Sequence, residues 1–253
     1  MPSTAAEPDS RPPVFFSDPA ALAGDVVVLA GPEGRHAATV RRLTAGERVD
    51  LTDGAGLVAE CVVTAAGAAS LELSVLARRS VPRPDPALVV VQALAKGEHG
   101  PLAVDLMTEG GVDVIVPWAA QRCVARWDGA RGDRSLARWR AAAAQAAKQS
   151  RRAWLPEVTA PASTGDLALR VAAASLAVLL DPAAPVPLSG LDLPGGGDIL
   201  LIVGPEGGVS PGEAGQLTAA GAVPARLGPT VLRTSSAGLV AATIVASRSG
   251  RWA

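Results

Sequence analysis

The sequence predicts an α/β protein, a mostly parallel sheet flanked by helices and preceded by a small β-rich domain. Three observations carry that expectation. From residue 87 onward strand-like and helix-like stretches alternate, the rhythm of a parallel sheet with helical crossovers. Residues 26–75 hold short strand-like runs separated by turn signals, with one helical stretch among them, the pattern of a small barrel. Between the two lies Val81-Pro82-Arg83-Pro84-Asp85-Pro86, whose prolines forbid regular structure and mark a linker. The expected domains are therefore 1–81 and 87–253.

In the first domain the strand candidates are 26–29, 48–51, 60–63 and 70–75. Ala45-Gly46, Asp53-Gly54-Ala55-Gly56 and Ala66-Gly67 turn the chain between them. A helix is expected over 33–43. In the second domain, 87–95 reads as a buried strand, 102–109 as a helix and 113–117 as a strand. A long helix is expected over 133–152 and a shorter one over 166–173. Strands follow at 175–180 and 198–203, the latter after a flexible Gly195-Gly196-Gly197 loop. A capped helix at 211–220, a strand at 222–227 and a last helix at 236–247 complete the series.

The most informative run is Leu200 to Glu213. An apolar strand enters Gly204-Pro205-Glu206-Gly207-Gly208, and a marked helix start follows. Ser210 stands at the N-cap, Pro211 at the first helical position, and Glu213 completes a capping box. Glycines strip the loop of Cβ atoms, so a ligand can lie against bare backbone groups. Such a loop at the carboxyl end of a strand is where open α/β sheets bind cofactors. It is neither G-x-G-x-x-G nor a P-loop, which weighs against the usual dinucleotide and nucleoside triphosphate readings.

Two further loops, Leu180-Asp181-Pro182 and Leu227-Gly228-Pro229-Thr230-Val231-Leu232-Arg233-Thr234-Ser235-Ser236, also leave strand ends and should converge on the first. Together they form a candidate pocket; tight turns without a ligand are the competing reading. Arg233 sits at a helix N-terminus, where the dipole disfavours a cation. That placement calls for an anionic or carbonyl-bearing ligand, or for a structural pair with Glu206.

Composition narrows the partners. The net charge of −1 gives no global attraction to nucleic acid, so any such binding must use local patches. One patch is evident. Between Arg122 and Arg152 there are nine basic residues against Asp128 and Asp133, a stripe suited to a phosphate backbone or simply to a solvated face. A smaller one, Arg35-His36 with Arg41-Arg42, falls on the first domain's helix, where His36 reads as a surface residue. Cys61 and Cys123 lack C-x-x-C spacing and, with two histidines, suggest no metal site; buried reduced thiols of a cytoplasmic protein are expected. The polar stretch Met1 to Ser10 is no signal peptide, and no apolar run reaches membrane-span length.

Further short runs extend the pattern. Phe15-Phe16, then His36, Val40, Arg42-Leu43 and Gly46, then Asp53-Gly54 mark the first domain. Gln92-Ala93-Leu94-Ala95-Lys96, Thr108-Glu109-Gly110-Gly111-Val112, Pro117, Arg122 and Ala146-Ala147-Lys148-Gln149-Ser150-Arg151-Arg152 with Pro156 precede the Gly204 loop. Leu227-Gly228 and Leu232-Arg233-Thr234 follow it. In this order, over nearly the whole chain, they resemble the family of small-subunit (16S) ribosomal RNA uridine-N3 methyltransferases of the SPOUT superfamily.

That resemblance implies a PUA-like RNA-binding β-barrel followed by a SPOUT α/β-knot domain whose C-terminal part forms a trefoil knot, against the usual rule. It implies a homodimer acting on 16S rRNA in the small ribosomal subunit, with S-adenosyl-L-methionine as cofactor. On this reading Leu180, Asp181, Val203, Gly204, Pro205, Glu206, Gly207, Gly208, Leu227, Gly228, Val231 and Leu232 hold the cofactor, and a branched residue at Gly207 would clash with it. Arg233 engages the uracil oxygens or orients the cofactor, Thr234 supports it, and Glu206 holds Arg233 or takes a proton. Arg35, Arg42, Lys96, Arg122, Arg151 and Arg152 are the expected RNA contacts. Ser235 stands where the family usually has Glu, so no role of that acid carries over; Glu109-Gly110-Gly111 replaces the usual Glu-Leu-Gly. The rival readings are a related knotted methyltransferase with another RNA or base target, and a non-catalytic rRNA-binding protein of the same fold. A nucleotide-binding oxidoreductase lacks its fingerprint loop here.

Overall fold

Residues 12–252 are described by the structure, a computed structural model; the polar stretch 1–10 lies outside them. The chain forms two units. The first ends at Pro82 and also takes in Arg151–Trp154; the second comprises Arg83–Ser150 and Leu155–Ala253.

In the first unit β1 (Val14–Phe16), β2 (Val26–Leu29), β3 (Arg48–Thr52), β4 (Leu57–Ala66) and β5 (Leu71–Ser80) form one sheet in the order β1-β3-β4-β5-β2. Only β1 and β3 run parallel. Register breaks at Glu60/Cys61 and Val63/Ala65 are bulges that bend the long β4–β5 ribbon around its core. Phe15, Leu22, Val49, Leu51, Cys61 and Leu73 fill that core. The single helix expected over 33–43 is instead α1 (Gly31–Arg35), continued by a π-helical turn over His36–Val40. At Gly34 a Cβ would lie 2.3 Å from the Leu29 carbonyl oxygen, so the helix presses on the sheet where only glycine fits. β1 escaped the sequence reading because three residues carry no periodicity.

Arg151–Trp154 packs on the β3–β4 turn. Gly56 N–H donates to Ala153 O at 3.1 Å, Thr52 Oγ1 to the same carbonyl at 3.2 Å, and Trp154 Nε1 to Val81 O at 2.9 Å. A Cβ on Gly56, whose φ is +101°, would sit 2.7 Å from the Trp154 ring. The long helix therefore does not run to Arg152. It ends at Gln149, and Arg151 turns the chain with φ of 58°.

The second unit is a six-stranded, wholly parallel sheet. It contains β6 (Ala87–Ala93), β7 (Val114–Trp118), β8 (Glu157–Val158), β9 (Leu176–Leu180), β10 (Asp198–Val203) and β11 (Val223–Ala225), in the order β11-β9-β10-β6-β7-β8. Its helices are α2 (His99–Glu109), α3 (Gly129–Gln149), α4 (Thr164–Ala173), α5 (Pro211–Ala219) and α6 (Thr234–Arg248). The fold class is thus α/β with a parallel sheet. Chain order reverses where β10 inserts between β9 and β6, and that reversal opens a crevice at the carboxyl ends of the strands. α6 is built of small residues, and Gly238 lets it approach closely: a Cβ there would fall 2.6 Å from Met107 Sδ on α2. α3 begins at Gly129, earlier than its glycines suggest, because Gly132 packs against Trp127, whose ring meets Trp139 edge to face at 5.0 Å. No described helix is long and apolar enough to cross a membrane.

Two anchors fix the amino ends of the strands. Asp113, 4% exposed, forms a two-pronged pair with Arg251 at 2.5 and 3.2 Å and also accepts the Leu88 N–H at 2.9 Å. The same guanidinium holds the carbonyls of Pro86 and Gly111. Gly195-Gly196-Gly197, expected as a loose loop, is tied down as well. Asp85 Oδ1 accepts the Gly197 N–H at 2.7 Å, and the Gly197 carbonyl accepts the Ala87 N–H at 2.9 Å.

Breaking the buried pair leaves Asp113 charged in a dry site. Arg251→Ala is expected to lower stability by about 3–5 kcal/mol, read from urea unfolding; a loss under ~1 kcal/mol, the range of exposed pairs, would show that water reaches the clamp.

Candidate cofactor site

The carboxyl ends of β9, β10 and β11 open into a cavity of about 360 Å³, within the range of small-ligand sites. Three chain segments wall it. Leu179 to Pro182 follow β9, Val203 to Val209 follow β10, and Leu227 to Thr234 follow β11, with Ala214 and Ala237 closing the floor from α5 and α6.

Of the expected cofactor residues, Leu180, Asp181, Val203, Gly204, Pro205, Glu206, Gly208, Leu227, Gly228, Val231 and Leu232 all lie on this wall, and so does Thr234. Leu179, Pro182, Val209, Ala214, Thr230 and Ala237 join them. Leu179 belongs to an ordinary apolar strand, and Val209, Ala214 and Ala237 are single apolar residues with no motif of their own, so none gave a signal beyond its neighbours. Gly207 and Arg233 are not on the wall. A Cβ on Gly207 would meet Arg122, at 3.4 Å or more, and Gly207 is not among the residues lining the cavity. The restrictive glycines are its neighbours. Gly208 has a φ of +73°, and a Cβ on Gly204 would lie 2.6 Å from Val209 Cγ2.

Several contacts hold the walls. Thr234 Oγ1 donates to Gly204 O at 3.3 Å, joining the first turn of α6 to the glycine loop. Arg122 Nη1 donates to Gly207 O at 3.2 Å, so this expected RNA contact braces the loop from behind. Asp181 Oδ1 accepts the Ala183 N–H at 2.9 Å and fixes the bend after β9. The capping box forms as spaced: Ser210 Oγ accepts the Glu213 N–H, and the Glu213 carboxylate accepts from Ser210 N and Oγ. That carboxylate reaches further, to Gln121 N–H at 2.8 Å and Thr164 Oγ1 at 3.0 Å. Burial pushes the Glu213 carboxyl up, yet these donors outweigh it and hold it below its ordinary value.

Arg233 is exposed at the N-cap of α6, with extended backbone and no side-chain partner among the described residues. No ion pair among them joins it to Glu206, so the structural pair does not form. Ser235 is buried in the first turn of α6. Arg35, Arg42 and Arg151 are exposed in the first unit, with Arg152 half-buried beside them in sequence; Lys96 and Arg122 are exposed in the second. Cys61 and Cys123 are buried free thiols, and burial raises both pKa values, Cys61 to about 11. Among the described residues no acidic, histidine or cysteine group is arranged to hold a metal.

Residues 82–246 match the family model of an RNA methyltransferase domain, and 29–76 that of an RNA methyltransferase PUA domain. The chain is 48% identical over 243 residues to ribosomal RNA small subunit methyltransferase E of Mycobacterium bovis, covering 94% of this chain and 93% of that one. The Bacillus subtilis protein of the same name is 27% identical, over 86% and 88% of the two chains. Among solved structures, a Legionella pneumophila chain in complex with bound SAM is 26% identical with a TM-score of 0.81, covering 94% of this chain and 98% of that one. The Neisseria gonorrhoeae methyltransferase E structure, bound to S-adenosylmethionine, has the same fold at 24% identity, a TM-score of 0.81 and the same coverage.

Because the Glu213 carboxyl titrates below its usual 4.5 in the folded chain, its contribution is complete above pH 4.5 and is lost as the pH falls through the folded value. Glu213→Gln is expected to cost about 1–3 kcal/mol at neutral pH. The gap to the wild-type protein should narrow below pH 4.5 in urea unfolding at stepped pH. A gap independent of pH would remove the charge from this account. At the loop, Gly208→Val is expected to weaken cofactor binding by about tenfold or more while Gly207→Ala binds normally in calorimetry. Equal effects at the two positions would contradict the backbone geometry.

Proposed function

The chain belongs to the ribosomal RNA small subunit methyltransferase E family, and on that premise we propose that it methylates N3 of a uridine in 16S rRNA with S-adenosylmethionine. The observation that carries this reading is the cavity itself, in which three loops at the carboxyl ends of parallel strands meet around a glycine-rich turn. Its lining suits the cofactor: Leu180, Val203, Leu227 and Leu232 offer apolar surface, and the glycines expose backbone donors and acceptors. When bound, the cofactor supplies an electrophilic sulfonium methyl group.

The chain's own residues then have distinct tasks. Backbone groups of 203–206 and 208, and of 227, 228 and 230–232, hold the ligand, and the apolar wall keeps water from it. Uracil N3 must lose its proton before it can attack. Glu206, exposed on the wall and in no ion pair among the described residues, is the acceptor this arrangement offers. Arg233, unpaired at the mouth of α6, donates to uracil oxygens as charge spreads onto them. Thr234 keeps Arg233 in register through its bond to Gly204 O. The target base must leave its stack to reach the cavity.

The PUA-domain match over 29–76 supports RNA contact by Arg35 and Arg42; Arg151 and Arg152, in the same unit, and Lys96 in the second add phosphate contacts in this reading. Arg122 serves the loop first. We place the domain boundary within 82–86, and we take from the family a threaded, knotted C-terminal segment, a homodimer and a cytoplasmic location.

The test incubates the protein with methyl-labelled S-adenosylmethionine and small ribosomal subunits lacking the modification, followed by nucleoside mass spectrometry. Labelled N3-methyluridine is expected; another labelled nucleoside would shift the target base, and absence of both label and cofactor binding would leave a non-catalytic RNA-binding protein. Arg233→Ala should lower kcat by about 10²–10³ with cofactor affinity unchanged; a loss of cofactor affinity alone would return Arg233 to the cofactor.

A further inference from the structure

The loop after β9 contains Pro182, Pro185 and Pro187, so three of its residues have no N–H to donate and regular pairing is broken. Three successive carbonyls, those of Ala184, Pro185 and Val186, are taken up by one residue. The Arg226 guanidinium, half-buried just past β11, donates through Nη1 to Ala184 O at 3.0 Å and to Pro185 O. The Arg226 main chain engages the next turn of the same loop. Its N–H donates to Val186 O at 2.9 Å, and its carbonyl accepts the Leu188 N–H at 2.8 Å. Side chain and backbone of a single residue thus grip four positions of the loop, on the extension of the β11–β9 ladder.

What the grip joins matters more than its strength. Leu180, Asp181 and Pro182 lead into the held loop, while Leu227 and Gly228 directly follow Arg226, and both groups line the same cavity. These two walls are joined by the β11–β9 ladder, with Asp181 N–H donating to Ala225 O at 3.0 Å, and beyond the ladder's end by Arg226. We infer that Arg226 is a positioning residue for S-adenosylmethionine binding, acting through the two walls and touching neither cofactor nor RNA. This rests on the methyltransferase reading given above. A guanidinium has a rigid fork of donors that one ammonium group cannot reproduce, so lysine is a poor replacement.

The experiment compares full-length wild-type protein, Arg226→Ala and Arg226→Lys by calorimetry with S-adenosylmethionine and by steady-state kinetics on small ribosomal subunits. Circular dichroism melts report whether each variant folds. Arg226→Ala is expected to raise Kd and KM for the cofactor about tenfold, with KM for RNA and kcat at saturating cofactor within about twofold of wild type. Arg226→Lys should fold and recover little of that loss. Cofactor affinity within about twofold of wild type in either folded variant would overturn the inference. So would unfolding of both variants, which makes Arg226 merely structural. Wild-type protein that binds no cofactor would instead defeat the methyltransferase reading itself.

Discussion

A carboxylate withdrawn from water must be met by donors, and the fold around the cavity is organised by how Glu213 meets that demand. Its four donors come from three places: the N-cap Ser210, the chain after β7 at Gln121, and the start of α4 at Thr164. Each alone is an ordinary hydrogen bond. Together they fix where α5 begins, and α5 begins where the glycine loop ends. The loop is held at its other side by Thr234 on Gly204 and from behind by Arg122 on Gly207. A glycine-rich segment with little intrinsic preference is thereby given one conformation by its surroundings.

The opposite, amino-terminal end of the strands uses a different solution to the same problem. There Asp113 and Arg251 neutralise each other, and backbone groups of Pro86, Leu88 and Gly111 complete their hydrogen bonding. Between the two strand ends the sheet is apolar, with Leu88, Val90, Ile115, Val178, Leu201 and Ile202 fully buried. Polar chemistry is confined to the strand ends, and only the carboxyl end is left open to a ligand. That division separates stability from function along the strand direction.

Much of this was legible in the sequence because it is local. Ser210, Pro211 and Glu213 form a pattern four residues long, and the structure builds the capping box they announce. The three loops were found because strand ends in a parallel sheet converge. What escaped depends on contacts distant in sequence. Nothing near Glu213 tells of Thr164 or Gln121, and nothing near Arg226 tells that it answers the carbonyls of a proline-rich loop. The early start of α3 was hidden by Gly129 and Gly132, which read as breakers until Trp127 is seen against Gly132. Gly207 and Gly208 look alike in a sequence; only the backbone angles separate the free glycine from the required one. The cofactor, the base and the knot came from resemblance, since no spacing in the chain specifies them.

The first unit is not a continuous stretch of chain, and this bears on the order of events during synthesis. Its sheet is complete once Ser80 has been made, yet the β3–β4 turn lacks Ala153 and Trp154 until the whole of α3 has followed. On the ribosome the small unit therefore emerges with Gly56 and Val81 O facing solvent, and it is finished only by residues belonging to a later part of the message. The last step of its maturation waits on the half-made larger unit, so the two cannot mature as independent modules even though each has its own core.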